Sequence, residues 1–237
     1  MNRYLKKRIA EGEHQHQDFK YAINDSKKIA RSLAAFANTD GGRLLIGVKD
    51  NGRIAGVSSD EEYYMVESAA KRYCKPPVPF RVKEWQVEGK TVVEIIIPKS
   101  KKRPHKAPNK DGRYKVYVRV KDQNLLANNI LLKVWRREKR KHGTFFQLQE
   151  PEQILLNWFN EENKYITHTK FSKIAHISRK KAEQILVNLI VVGIIDMKIT
   201  ENGFFYMLKE ISQEDPENNN DKYTRKGYFI KTQSYRK

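Results

Sequence analysis

The side chains best equipped for chemistry in this chain are cations that come in runs. Lys99, Lys101, Lys102, Arg103, Lys106, Lys110, Arg113 and Lys115 crowd one segment, and Arg136, Arg137, Lys139, Arg140 and Lys141 crowd another. Each Lys or Arg set against a phosphate releases a condensed counterion, so such strips suit a polyanion and predict a steep salt dependence. A third run, Arg179, Lys180 and Lys181, stands at the predicted start of a helix. Gln184 and Asn188 follow it off the apolar face, with amides of the kind that reach base edges.

The charge is local. The whole chain of 237 residues carries 47 Lys and Arg against 28 Asp and Glu, a net +19. Residues 1–142 hold 33 basic and 16 acidic side chains, and 99–142 alone hold 16 and 3. Residues 143–211 balance at 8 and 8. The expected partner is DNA or RNA, because a charge of this size points to polyanions rather than to any one fold.

Composition closes several routes. With 39% hydrophobic residues the chain can bury a core and is not wholly disordered. One cysteine, Cys74, excludes an internal disulfide framework and a cysteine-rich zinc site, and reads as a small buried group on a helix. Residues 1–8 lack the apolar core of a signal peptide. The longest apolar run, 185–195, is broken by Asn188 and Gly193 and falls short of the roughly 20 residues of a membrane span. A cytosolic protein is expected. Contact with a membrane surface would need a basic amphipathic helix with a clean apolar face, and none is evident. The spacing around Gly41-Gly42 fits neither common glycine-rich phosphate loop.

These residues need elements to hold them. Asp25-Ser26 predicts a helix start, with Ile29, Leu33, Phe36 and Ala37 at helical spacing up to Asn38. Gly41-Gly42 ends that helix, and Asn38 either caps its last carbonyls or holds the turn. A strand over 44–48, a turn at Asp50-Asn51-Gly52 and a return strand over 54–57 follow. Then come a helix over 60–73, a hairpin of 82–87 with 91–97, a basic loop over 99–112, a strand over 114–120 and a helix over 129–141. Past Gly143 the pattern changes to helices opening at Pro151, at Thr169 and after Ser178, then a hairpin of 194–199 with 204–208. That order of three helices and a hairpin reads as a winged helix.

The expected class is α+β: a mixed, mainly antiparallel sheet with helices over 1–142, a winged helix over 143–211, and a disordered tail over 212–237. The neutral charge of the winged helix leaves two roles open, contact with DNA or docking to a protein such as a second copy in a homodimer.

Residues 11–128 resemble the Schlafen/AlbA-type DNA-binding domain. Glu13, then Asp18-Phe19-Lys20, matches the opening of the family pattern. Ala35-Phe36-Ala37-Asn38-Thr39-Asp40-Gly41-Gly42 matches its most specific block. Leu45-Ile46-Gly47-Val48-Lys49-Asp50-Asn51-Gly52 and Tyr117-Val118-Arg119-Val120 match later ones. The resemblance implies a nucleic-acid-binding module, often joined to a helix-turn-helix domain, and adds Lys20, Arg43 and Arg119 to the phosphate-contacting set.

In the ribonuclease members of that family three acids hold a divalent metal. The resemblance carries these onto Glu13, Asp18 and Asp50, where Mg²⁺ or Mn²⁺ would activate water. Asp18 departs from the family's usual Glu. The alternative for these acids is structural pairing with Lys20 or Arg43. His14 and His16 flank them, either as ligands or as part of an exposed polar segment. Two functions therefore stand open: a DNA-binding transcriptional regulator, and a metal-dependent ribonuclease.

Overall fold

Asp25 starts the central helix as its type demands, its carboxylate accepting from Lys27 N at 2.7 Å. In a computed structural model, which describes residues 3–57, 59–139, 146–161, 164–209 and 230–231, that helix is α2 (Ser26–Asn38). It follows α1 (Arg3–Ala10) and β1 (Gln17–Lys20) and leads to β2 (Gly42–Ile46). The sharp join of α2 to β2 depends on Gly41, at φ +74°. A Cβ there would sit 2.8 Å from both Ile97 O and Lys99 N, which only glycine avoids.

The first unit, residues 1–127, is α+β and carries two sheets. It continues with α3 (Ser59–Lys71), β3 (Arg81–Val87), β4 (Lys90–Ile97), β5 (Lys106–Pro108), β6 (Tyr114–Val120) and β7 (Gln123–Leu126). The larger sheet has the order β1-β2-β4-β3, with β1 parallel to β2 and the other pairs antiparallel. The smaller, β5-β6-β7, is antiparallel throughout.

Alternation along the strands divides the core. Leu44 and Ile46 of β2 and Val93, Ile95 and Ile97 of β4 face α2 and α3. Leu45 and Val92 point the other way, onto Leu5 of α1, Phe19 and Val87. Helix α2 also packs on the small sheet through Ala107 and Tyr117, so nearly its whole length from Ser32 to Asn38 is buried.

The second unit, residues 128–237, holds α4 (Asn129–Glu138), β8 (Phe146–Gln147), α5 (Glu150–Asn160), α6 (His168–Ile174), α7 (Arg179–Val191), β9 (Ile195–Thr200), β10 (Gly203–Leu208) and β11 (Ile230–Lys231). β9 and β10 form an antiparallel hairpin, and β11 pairs in parallel with β8. Ser178 caps α7 by accepting from Lys181 N. Ile130 and Val134 of α4 join Leu155, Phe171, Ile185, Leu186 and Tyr206 in one core.

Several local expectations change. The return strand over 54–57 is only an isolated bridge, Val48 to Ile54, because both edges of β2 are already taken by β1 and β4. The basic loop contains a strand, β5, held by β6. Cys74 lies past the end of α3, not within it. Helix α4 packs on α7 and lies in the compact unit of residues 128–237. Apart from Ile230–Lys231, the tail expected to be disordered lies outside the described residues, as do Arg140 and Lys141.

Candidate nucleic-acid interface

Burial sorts the predicted cations before their geometry does. Lys101, Lys102, Lys106, Lys110, Arg113 and Lys115 are exposed, Arg103 is half-buried, and Arg119 is buried at 2% exposure. Three of the predicted cations, Lys20, Lys110 and Arg119, come together in a cleft of about 380 Å³. Lys28 and Arg31 from α2 complete its cationic wall, and Asn109, Ser32 and Asn124 add neutral hydrogen-bonding groups. Arg31 lies against the Tyr117 hydroxyl, whose pKa is pushed up by burial and partly restored by that cation. Two acids are present, Asp18 and the exposed Asp122. Asp18 is already matched by cations, so the open face of the cleft is positive.

Sequence reasoning missed Lys28 and Arg31 because α2 is read as a core helix. The signal was present: both lie off its apolar stripe and three residues apart, hence on one face.

Lys101 and Lys102 stand elsewhere, on a second cleft lined by α3, the 77–80 segment and β3. Lys106, Arg113 and Lys115 line neither cleft. Arg43 is half-buried and engaged by other side chains. Its Nη1 lies 3.6 Å from Glu94 Oε1 and donates to Tyr4 Oη at 3.0 Å, while the fully buried Glu94 also accepts from Trp85 Nε1.

The three acids that the family resemblance assigns to a metal do not assemble. Asp18 Oδ2 lies 2.9 Å from Lys20 Nζ and its Oδ1 lies 3.4 Å from Arg119 Nη2. Glu13 Oε1 accepts from Phe19 N at 2.8 Å. Burial, then the neighbouring Asp18, holds the Glu13 carboxyl above its ordinary pKa. Asp50 is on the exposed turn after β2. Among the described residues no three His, Cys, Asp or Glu side chains are grouped to hold a metal ion. Asp18 already faces Lys20 and Arg119, Glu13 stands beside it, and Asp50 is apart on its turn, so the three residues as arranged do not fit a metal centre.

His14 is half-buried and His16 exposed, with ring centroids 6.2 Å apart. Burial lowers the His14 pKa, and His16 Nδ1 lies 3.4 Å from Gly41 O. Neither ring joins Glu13 or Asp18. The Asn38 amide bonds to neither its own helix end nor the turn that follows: Nδ2 donates to His105 O and Tyr117 O, and Oδ1 accepts from His105 N, tying α2 to β6 and the segment before β5.

In the second unit Arg179, Lys180 and Lys181 are exposed on the first turn of α7. Gln184 and Asn188 are differently placed. Asn188 Oδ1 accepts from both Gln184 Nε2 and Arg137 Nη1 of α4, and Glu183 pairs with Lys133 on the same helix. Both amides are half-buried and engaged, with α4 packed on this side of α7.

Residues 13–128 match the family described as Schlafen, AlbA_2, the span over which the sequence blocks run. No curated protein matches this chain. Among solved structures, DIP2311 from Corynebacterium diphtheriae is similar with 18% identity and a TM-score of 0.42, over 82% of this chain and 34% of that one. This chain thus spans about a third of its length. The N-terminal domain of a RecG-related protein from Nitrosomonas europaea is similar with 22% identity and a TM-score of 0.38, over 59% of this chain and 95% of that domain. Among the described residues no helix is long and apolar enough to cross a membrane.

Proposed function

We propose that this protein binds nucleic acid through its first unit and acts as a DNA-binding transcriptional regulator. The carrying observation is the meeting of Lys28, Arg31 and Lys110 in one cleft, from α2 and the turn between β5 and β6, beside the Lys20–Asp18 pair. Cations on separate elements, fixed by a rigid core, can follow a phosphate backbone without reading its sequence. The match of residues 13–128 to the Schlafen, AlbA_2 family supports the same reading.

The second unit supplies site preference in this proposal, as a winged helix. Its order is α5, α6, α7 and the β9–β10 hairpin, with α7 as the recognition helix. Arg179 and Lys180, on the exposed first turn of α7, would meet the groove and its phosphates. The ribonuclease alternative has no comparable support, because its acids are engaged by Lys20 and Arg119 or stand apart on a turn.

The test is a titration of labelled duplex DNA across salt concentrations. Log affinity should fall linearly with log salt, with a slope set by the number of neutralised phosphates. A flat response would sink the proposal.

A further inference from the structure

The second cleft of the first unit, about 810 Å³, sets the Tyr63 and Phe80 rings beside a basic rim. Tyr63, on the first turns of α3, is 38% exposed. Its ring centroid lies 6.2 Å from that of Phe80, and the planes are tilted by 53°. The two rings do not stack on each other, and the Tyr64 ring meets Tyr63 edge-on at 5.9 Å, so the part-exposed Tyr63 ring lines the cleft without a stacked partner among the described residues. Val78 and Val82 make the floor apolar.

The rim is cationic and its carboxylate is spent. Glu67, the one acid lining this cleft, accepts from Lys71 Nζ at 2.6 Å. Lys99 lies 3.2 Å from Asp40. Lys101 and Lys102 are exposed and have no acidic partner among the described residues. Their loop is also fixed in place. The buried His105 ring spans Ser100 Oγ at 2.7 Å and Pro76 O at 2.8 Å, tying the basic loop to the segment that carries Phe80.

A ligand for this cleft needs a flat π face next to an anionic group. A drug-like apolar molecule would leave the lysines unused, and an acidic peptide would leave the ring unused. From this geometry we infer that the cleft takes an unpaired nucleotide of a single-stranded nucleic acid. The base stacks on Tyr63, and Lys101 and Lys102 meet the flanking phosphates. Stacking is tolerant of sequence, because every base has a π face. The inference rests on the proposed nucleic-acid binding and deepens it: the first cleft grips backbone of any kind, and this one selects strands with a free base.

The experiment compares a fluorescein-labelled oligo(dT) single strand with a blunt duplex of equal length, on the full chain. Tyr63→Ala should weaken single-strand binding about tenfold and duplex binding less than twofold. Tyr63→Phe, which keeps the ring and controls for folding, should bind both as wild type does. Lys101→Ala with Lys102→Ala should lower single-strand affinity and flatten its salt dependence. Equal effects of Tyr63→Ala on both probes, or no effect on either, would overturn this assignment while salt-dependent duplex binding left the first cleft standing. Loss of all binding by the wild-type chain would remove both.

Discussion

Arg119 Nη2 lies 3.4 Å from Asp18 Oδ1, with the guanidinium 2% and the carboxylate residue 4% exposed. The pair joins β6 to β1 across 101 positions of sequence. The same guanidinium donates to Gln17 O and stands over the Phe36 ring at 4.9 Å. Asp18 also receives Lys20 at 2.9 Å, so one carboxylate balances a buried and a half-buried cation. This arrangement fixes the floor of the basic cleft and accounts for an acid within a surface that meets polyanions.

Removing one member of a buried pair costs more than the pair contributes, because the survivor stays desolvated. Arg119→Met should therefore destabilise the protein by about 3–5 kcal/mol in urea unfolding. Adding Asp18→Asn should recover part of that loss. A loss below about 1 kcal/mol from Arg119→Met would show that the pair is solvated and exchangeable.

Lys28→Ala, Arg31→Ala and Lys110→Ala should each weaken binding of duplexes alike, whatever their sequence. Each should also lower the salt slope by about 1. Arg43→Ala is the contrast, since its partner is the buried Glu94; it should affect thermal stability and leave the slope unchanged. An unchanged slope across the three cleft variants would place backbone contact elsewhere.

Elements set by neighbours in sequence were legible. The Asp25 cap, the apolar stripe to Asn38 and the hairpin pattern of 82–87 with 91–97 placed α2, β3 and β4 closely. Elements set by distant partners were not. β1 is four polar-rich residues whose pairing with β2 spans a helix, and β5 exists because β6 offers it an edge. The site followed the same division. Exposed lysines were found by composition alone. The burial of Arg119 depends on Asp18, and the covering of Gln184 and Asn188 depends on α4, neither of which adjacent residues reveal.

Helix α7 divides its polar residues between two tasks. Arg179→Ala or Lys180→Ala should alter affinity or site preference in competition binding. Gln184→Ala and Asn188→Ala should leave preference unchanged and instead lower the melting temperature through loss of the Arg137 contact. A switch in preferred sequence on Gln184→Ala would put α4 in the wrong place.

Cys74 packs among Ala30, Val78 and their neighbours, and its thiol donates to Ala30 O at 3.4 Å. Burial pushes its pKa up to about 12. Almost no thiolate exists at pH 8, so modification by a disulfide reagent should await unfolding. Rapid labelling of the native protein would contradict this burial.

Glu13 gives the first unit a pH dependence of definite sign. Burial, then Asp18 beside it, raises its carboxyl above the ordinary value. The native state thus binds this proton more tightly than the unfolded chain does, and stability from this group falls as pH rises from the ordinary value through the raised one. Glu13→Gln removes the ionisation while keeping an oxygen to accept from Phe19 N and an amide to donate to Asp18. The lost attraction to Lys20, 4.0 Å away, is small for a partly exposed pair. The variant should be more stable than wild type at pH 7. That advantage should shrink as pH falls through the raised value and vanish below the ordinary one, where both folded and unfolded wild type carry the proton. Urea unfolding of both proteins at pH 7 and pH 4 measures the gap. A gap that stays constant, or widens toward acid, would mean that Glu13 is stabilised as a carboxylate, with Lys20 rather than burial governing its charge.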